Sequence, residues 1–235
     1  MNPTKSQARR AGLVYLLIAI VGVFGVLYVP STLIVRGDAT ATGARIRAAE
    51  TLFRVGIASE LVATLLMIAL VLTLHRLFKG INDTQSALMV MLVLVGVPIA
   101  FLNALNHVAA LILLSGADFL SVFDPPQLDA LAYMFLRLHT QGAVVANIFW
   151  GLWLFPFGVL VMRSGFIPRI LGVLLIINCV GYVADSCVAL VLPRFSPLVS
   201  RITMVPQFIG EIPMIVWLLI WGAKAKPSAA GPSPG

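Results

Sequence analysis

Five side chains that can carry or exchange a proton lie inside long apolar stretches of this sequence: Glu60, His107, His139, Asp185 and Glu211. Ionisable groups in hydrocarbon are costly and rarely persist without a partner or a task. Carboxylates and imidazoles in that setting support a short list of chemistries. Acids at a common depth can load and release protons beside a bound or transported small molecule or ion. Two imidazoles with a carboxylate can hold zinc and leave a coordination position for water, as a metal-dependent hydrolase requires. Two imidazoles on neighbouring antiparallel helices can serve as the axial ligands of a haem. Polar groups of these types can also do no chemistry, and fix helix packing in a membrane assembly subunit.

The elements that must position these groups follow from composition. The chain is 60% hydrophobic and only 11% charged, with a mean hydropathy of +1.02. A soluble surface cannot be covered with so few charges. The expected fold is all-α, a polytopic transmembrane bundle. Long apolar runs, rather than short alternating segments, exclude an outer-membrane barrel. Six runs reach spanning length, at 11–35, 52–74, 86–114, 131–162, 170–192 and 202–221. The third and fourth are overlong, which predicts tilt or kinks. Pro98, Pro156, Pro206 and Pro213 fall inside spans, where each removes a backbone donor.

The net charge of +7 does not point to nucleic acid, because the basic residues sit in short groups between apolar runs. They set topology instead. Nine fall on one side (Lys5, Arg9, Arg10, Arg76, Lys79, Arg163, Arg169, Lys224, Lys226) and six on the other (Arg36, Arg45, Arg47, Arg54, Arg194, Arg201). The bias puts both termini in the cytoplasm and the segments 36–50, 115–130 and 193–201 outside. The first run is too long for a signal peptide and reads as an uncleaved span. Residues 1–10 then form a basic cytoplasmic N-terminus, 11–222 the six-helix domain, and 223–235 a disordered cytoplasmic tail. Asp118, Asp124 and Asp129 read as solvated turn residues, with Asp129 a candidate cap for the fourth helix. Cys179 and Cys187 share one run, too far apart along a helix for a disulfide.

Topology turns the five ionisable groups into a layer. Each lies about 10–14 Å from the outer end of its span, at 1.5 Å per residue. Helical phase adds companions: Thr64 with Glu60, Asn103 with His107, Ala143, Ala146 and Asn147 with His139, Asn178 with Asp185, Gln207 with Glu211. Three unpaired carboxylates at the bilayer centre would cost about 8–10 kcal/mol, comparable with total stability. They must be protonated, paired, metal-bound or hydrated. Arg137, a half turn from His139, is the available guanidinium and could fork to a carboxylate. The candidate binding layer is therefore Glu60, Asn103, His107, Arg137, His139, Asp185 and Glu211. For a metal, the candidates are His107, His139 and Asp185, with Glu60 or Glu211 as further carboxylates. No HExxH or HxxxH spacing is present, and no residue pattern specifies a cofactor.

The stretches Phe149-Trp150-Gly151-Leu152-Trp153-Leu154-Phe155-Pro156-Phe157-Gly158 and Arg163-Ser164-Gly165-Phe166-Ile167-Pro168-Arg169-Ile170-Leu171-Gly172, followed by Gly181-Tyr182, resemble a bacterial family of integral membrane proteins known as a domain of unknown function. Arg137-x-His139, Gly210-Glu211 and Arg10-x-Gly12 fit the same family. The resemblance implies a six-helix protein of the bacterial inner membrane and carries no activity with it. The residues themselves favour a small-ligand or proton-linked transport or binding site over an enzyme. The metal-dependent hydrolase and the assembly subunit stand as alternatives.

Overall fold

The computed structural model describes the backbone of residues 3–222, with side chains described for 5–203 and 210–222. The proposed tail at 223–235, Lys224, Lys226, and the side chains of Pro206 and Gln207 lie outside the described residues. Helix α1 (Pro3–Gly22) widens into a π-helical turn (Val23–Tyr28) and continues as α2 (Val29–Leu33). Then come α3 (Ala39–Ala48), α4 (Glu50–Phe78), α5 (Asp83–Leu113), α6 (Pro125–Leu152), α7 (Leu154–Ser164), α8 (Arg169–Val191) and α9 (Ser196–Ile220). No strand occurs among the described residues.

Five stretches are long and apolar enough to cross a membrane: Lys5–Leu33, Glu50–Phe78, Asp83–Leu113, Pro125–Ser164 and Arg169–Val191. The described apolar part of α9, Gly210–Ile220, is shorter. Large apolar side chains face outward along these helices, among them Leu13, Leu65, Leu102, Leu105 and Val180. An apolar exterior of that extent suits lipid rather than water.

Local chemistry explains the helix limits. Asp38 caps α3 by accepting from the Ala41 amide at 2.8 Å, and Asn82 caps α5 by accepting from the Gln85 amide at 3.0 Å. Asp124, with Gln127, forms a capping box, and Pro125 takes the first helical position of α6. The fourth span therefore starts six residues before the expected Leu131, because the cap outranks the onset of the apolar run. The overlong fourth stretch divides at Trp153 into α6 and α7. Pro156 stands in the first turn of α7, where its missing donor is tolerated, and it cannot return a hydrogen bond to Leu152. Gly165, at φ 71°, ends α7 in the left-handed region that favours glycine. Pro98, by contrast, sits within an unbroken α5.

Two expectations for the 36–50 and 115–130 segments are corrected. The first is not a plain loop but holds α3. Asp129 is neither a cap nor a solvated turn residue. It lies inside α6, buried, and accepts from both Nη1 and Nη2 of Arg47 on α3, at 2.7 and 2.6 Å. Once the helix begins at Pro125, Asp129 falls on an inward-facing turn and needs a cation.

Two apolar blocks fill the bundle. One gathers Leu70, Leu74, Phe78, Met89, Phe157, Leu160 and their neighbours, and the other gathers Ile46, Phe53, Ile57, Ala110, Leu111 and Leu136. Along α4 the blocks are reached from Ile57 and from Met67, and the residues between include Glu60 and Thr64. Along α5 they are reached from Val97 and from Ala110, and between lie Asn103 and His107. The polar residues thus occupy the gap between two cores.

Candidate functional site

Glu60, on α4, is the meeting point of three helices. Its Oε1 lies 3.0 Å from Nε2 of His139 on α6, and its Oε2 lies 3.5 Å from Nδ1 of His107 on α5. The two imidazoles stack, with ring centroids 3.5 Å apart and planes 22° from parallel. Phe53 meets the His107 ring edge-on at 5.3 Å. A protonated imidazole beside Glu60 would supply the compensation that a carboxylate in this setting requires.

Backbone contacts set the α5–α6 spacing at this level. Asn103 Nδ2 donates to the carbonyl of His139 at 2.9 Å, while Asn106 Nδ2 donates to the carbonyl and Oδ1 of Asn103, both at 3.1 Å. Gly142 is what lets the Asn103 amide come so close, since a Cβ there would overlap Asn103 Oδ1. Gly142→Ala is expected to cost about 1–3 kcal/mol, as overpacking of a tight contact does. Adding Asn103→Ala should recover most of it. Thermal unfolding of the single and double variants checks this; strictly additive losses would refute the contact as the cause.

Glu211, on α9, gathers a second group. Tyr15 from α1 donates its hydroxyl to Oε2 in a short hydrogen bond. Asn178 Nδ2 and the Tyr182 hydroxyl, both from α8, donate to Oε1 at 3.1 and 3.4 Å. Gly210 permits the approach of α8, because a Cβ there would stand 2.7 Å from that of Asn178. Glu60 faces imidazoles; Glu211 faces neutral donors and, among the described residues, no cation.

One cavity of about 320 Å³ joins the two groups. Glu60 and His139 line it on one side, and Tyr15, Tyr182 and Glu211 on the other. Trp150, Trp153, Met67, Ala100, Ala143 and Ala146 supply apolar wall. Thr64, Asn103 and Asn147 add polar atoms, and among the described residues no lysine or arginine lines the space. Val26, from the π-helical turn, also reaches it. That turn lies against α4 directly above Glu60, where a Cβ on Gly25 would be 2.9 Å from the Gly56 carbonyl and 3.2 Å from the Glu60 amide. Wide turns of this kind recur at functional sites.

Not every expected member of the layer joins. Asp185 turns away, its Oδ1 accepting from Ser200 Oγ at 2.6 Å, and it does not line the cavity. Asn178, expected on Asp185's face, serves Glu211 instead. Arg137 is exposed and makes no ion pair with any of the acids among the described residues. Two residues of helix turn it about 200° away from His139. Of the carboxylates expected to join His107 and His139 at a metal (Asp185, Glu60 or Glu211), Glu60 is the one whose ligand atom lies within 4.8 Å of both imidazoles among the described residues. The haem reading fails on geometry, since rings stacked at 3.5 Å leave no space for a macrocycle between them. Tyr15 and Tyr182 were not among the candidates. The signal was present, because a buried tyrosine in an apolar span must find an acceptor for its hydroxyl.

Comparisons with known proteins name no activity. No solved structure matches the chain. An uncharacterized protein of Archaeoglobus fulgidus is 39% identical over 85 residues, which cover 36% of this chain and 49% of that protein. The match thus spans about half the length of that relative. The family described as "Domain of unknown function (DUF4386)" matches residues 10–222, nearly the whole chain, and the protein belongs to it.

Proposed function

We propose that this is a six-span protein of the bacterial cytoplasmic membrane, both termini inside, which binds or transports a small ligand in proton-linked fashion through the chamber between Glu60 and Glu211. The observation that carries this reading is one cavity with a hydrogen-bonded carboxylate at each side and, among the described residues, no lysine or arginine on its wall. Apolar and aromatic walls with a few placed polar groups are what a small-molecule site presents. The acidic, aromatic lining favours a ligand with a positively charged nitrogen, held at Glu211 and against the face of Trp150. Glu211 rather than Glu60 is the ligand and proton group in this reading, because its present partners are neutral and exchangeable.

Benzyltrimethylammonium is a suitable probe. Titrated by calorimetry into the purified protein, it is expected to bind and, in two buffers of different ionisation enthalpy, to release the proton that Glu211 would carry in the empty chamber. Glu211→Gln should weaken binding at least tenfold and abolish the proton release. Equal affinity in wild type and Glu211→Gln would remove the chamber's acid from the function.

A further inference from the structure

We infer that Glu60, His107 and His139 form a binding site for one first-row divalent transition metal ion of the zinc type, with an open coordination position facing the chamber. Three independent features of the geometry converge on this. The first is the ligand set: two imidazole nitrogens and a carboxylate, from three different helices, within 4.8 Å of one another. A tetrahedral centre with bonds near 2.0 Å holds its ligand atoms about 3.3 Å apart. Glu60 Oε1 stands 3.0 Å from His139 Nε2 and Oε2 stands 3.5 Å from His107 Nδ1, so the carboxylate reaches both rings at about that spacing, and the stacked imidazoles would have to turn to aim both nitrogens at one ion.

The second feature is an unmet bond. His107 is 6% exposed, and its Nδ1 is buried without a hydrogen-bond partner although Glu60 Oε2 lies 3.5 Å away. A buried polar atom in that condition needs an explanation, and a bound ion is one. An ion between the carboxylate and the two nitrogens would satisfy His107 Nδ1 and His139 Nε2 together, which a single shared proton does not. The third feature is access. Glu60 and His139 line the chamber while His107 lies behind them, so the ion would be anchored from the protein side and open toward the cavity. Two imidazoles and one carboxylate with a vacant position suit zinc, and also ferrous iron, more than the oxygen-preferring magnesium or calcium. What the ion would supply there is a Lewis-acidic position for water or an oxygen of the chamber's ligand.

The site does not depend on the ligand proposed for the chamber, and its test reads metal alone. The full-length protein, purified with a tag free of histidine, is dialysed against excess zinc and then against metal-free buffer. Elemental analysis is expected to find about one equivalent. Cobalt substitution should give the visible d–d absorption of a four-coordinate nitrogen/oxygen site. His107→Gln, His139→Gln and Glu60→Gln should each weaken zinc binding at least tenfold. Glu211→Gln and His75→Ala should retain the full equivalent. Loss of binding in Glu211→Gln or His75→Ala would overturn the assignment, as would zinc retained by the three ligand variants. Wild-type protein that takes up neither zinc nor cobalt would also overturn it, without bearing on ligand binding at Glu211. Because cobalt absorption is read on the wild type, the proposal stays testable if a ligand variant fails to fold.

Discussion

Glu211→Leu is expected to lower the unfolding midpoint of the detergent-solubilised protein by about 6–12 °C, whereas Glu211→Gln should shift it little. Leucine removes the carboxylate and with it any cost of burying a charge. It leaves behind the Tyr15, Tyr182 and Asn178 donors, which all converge on this one side chain. Each unsatisfied buried donor costs about 1–3 kcal/mol. Partial relaxation into the chamber brings the net to about 3 kcal/mol, and a chain of this size loses about 2–4 °C per kcal/mol. Glutamine keeps an acceptor for two of the donors. The pair therefore separates the structural part of Glu211 from its part in ligand binding: the glutamine variant should fold and bind poorly. A leucine variant as stable as the glutamine variant would show that the three donors do not depend on Glu211.

The second large effect is expected at the other polar tie. Arg47→Ala should destabilise the protein by about 2–3 kcal/mol. The Asp129 side chain is only 5% exposed, so deleting its partner strands a carboxylate in an apolar setting. The loss falls below that of a fully buried pair because the Arg47 side chain is itself 41% exposed. Gly43 holds the same junction open, since a Cβ there would meet Arg47 Nη1 at 2.8 Å and overlap Asp129. Chemical denaturation of Arg47→Ala, Asp129→Asn and the double variant completes a cycle. A double variant no worse than Arg47→Ala is the expected outcome; full additivity would mean that the two side chains act independently.

The membrane-embedded helical character was legible in the chain, because apolar run length is a direct consequence of bilayer thickness. The presence of ionisable groups that need each other was legible from the cost of burying charge. Their grouping was not. Depth along a helix follows from counting residues, but azimuth depends on how each helix is rotated against its neighbours. Glu60 and His139 come from segments 79 positions apart, and nothing local specifies that they meet. Asp185 sits seven residues beyond Asn178 and yet takes a different partner, because α9 crosses α8 and presents Glu211 to one and Ser200 to the other. Tyr15 was hidden for a simpler reason: a tyrosine adds to an apolar run as readily as a phenylalanine, and only its partner reveals the hydroxyl. Arg47 and Asp129 were hidden by a boundary, since moving a helix start by six residues turns a loop acid into an interior one.

The hydrogen bonds around the chamber have a mechanical consequence. Tyr15, Asn178 and Tyr182 tie α1 and α8 to α9 through Glu211. His139 and Asn103 tie α4, α5 and α6 to one another through Glu60 and the His139 carbonyl. None of these bonds crosses from one trio to the other. Among the described residues, the cavity thus lies along a seam between two stapled bodies whose facing walls are mainly apolar. Rocking one body against the other would widen or narrow the space between the acids without breaking a staple, and the resistance to that motion would come from dispersion forces, which yield gradually, rather than from hydrogen bonds, which break.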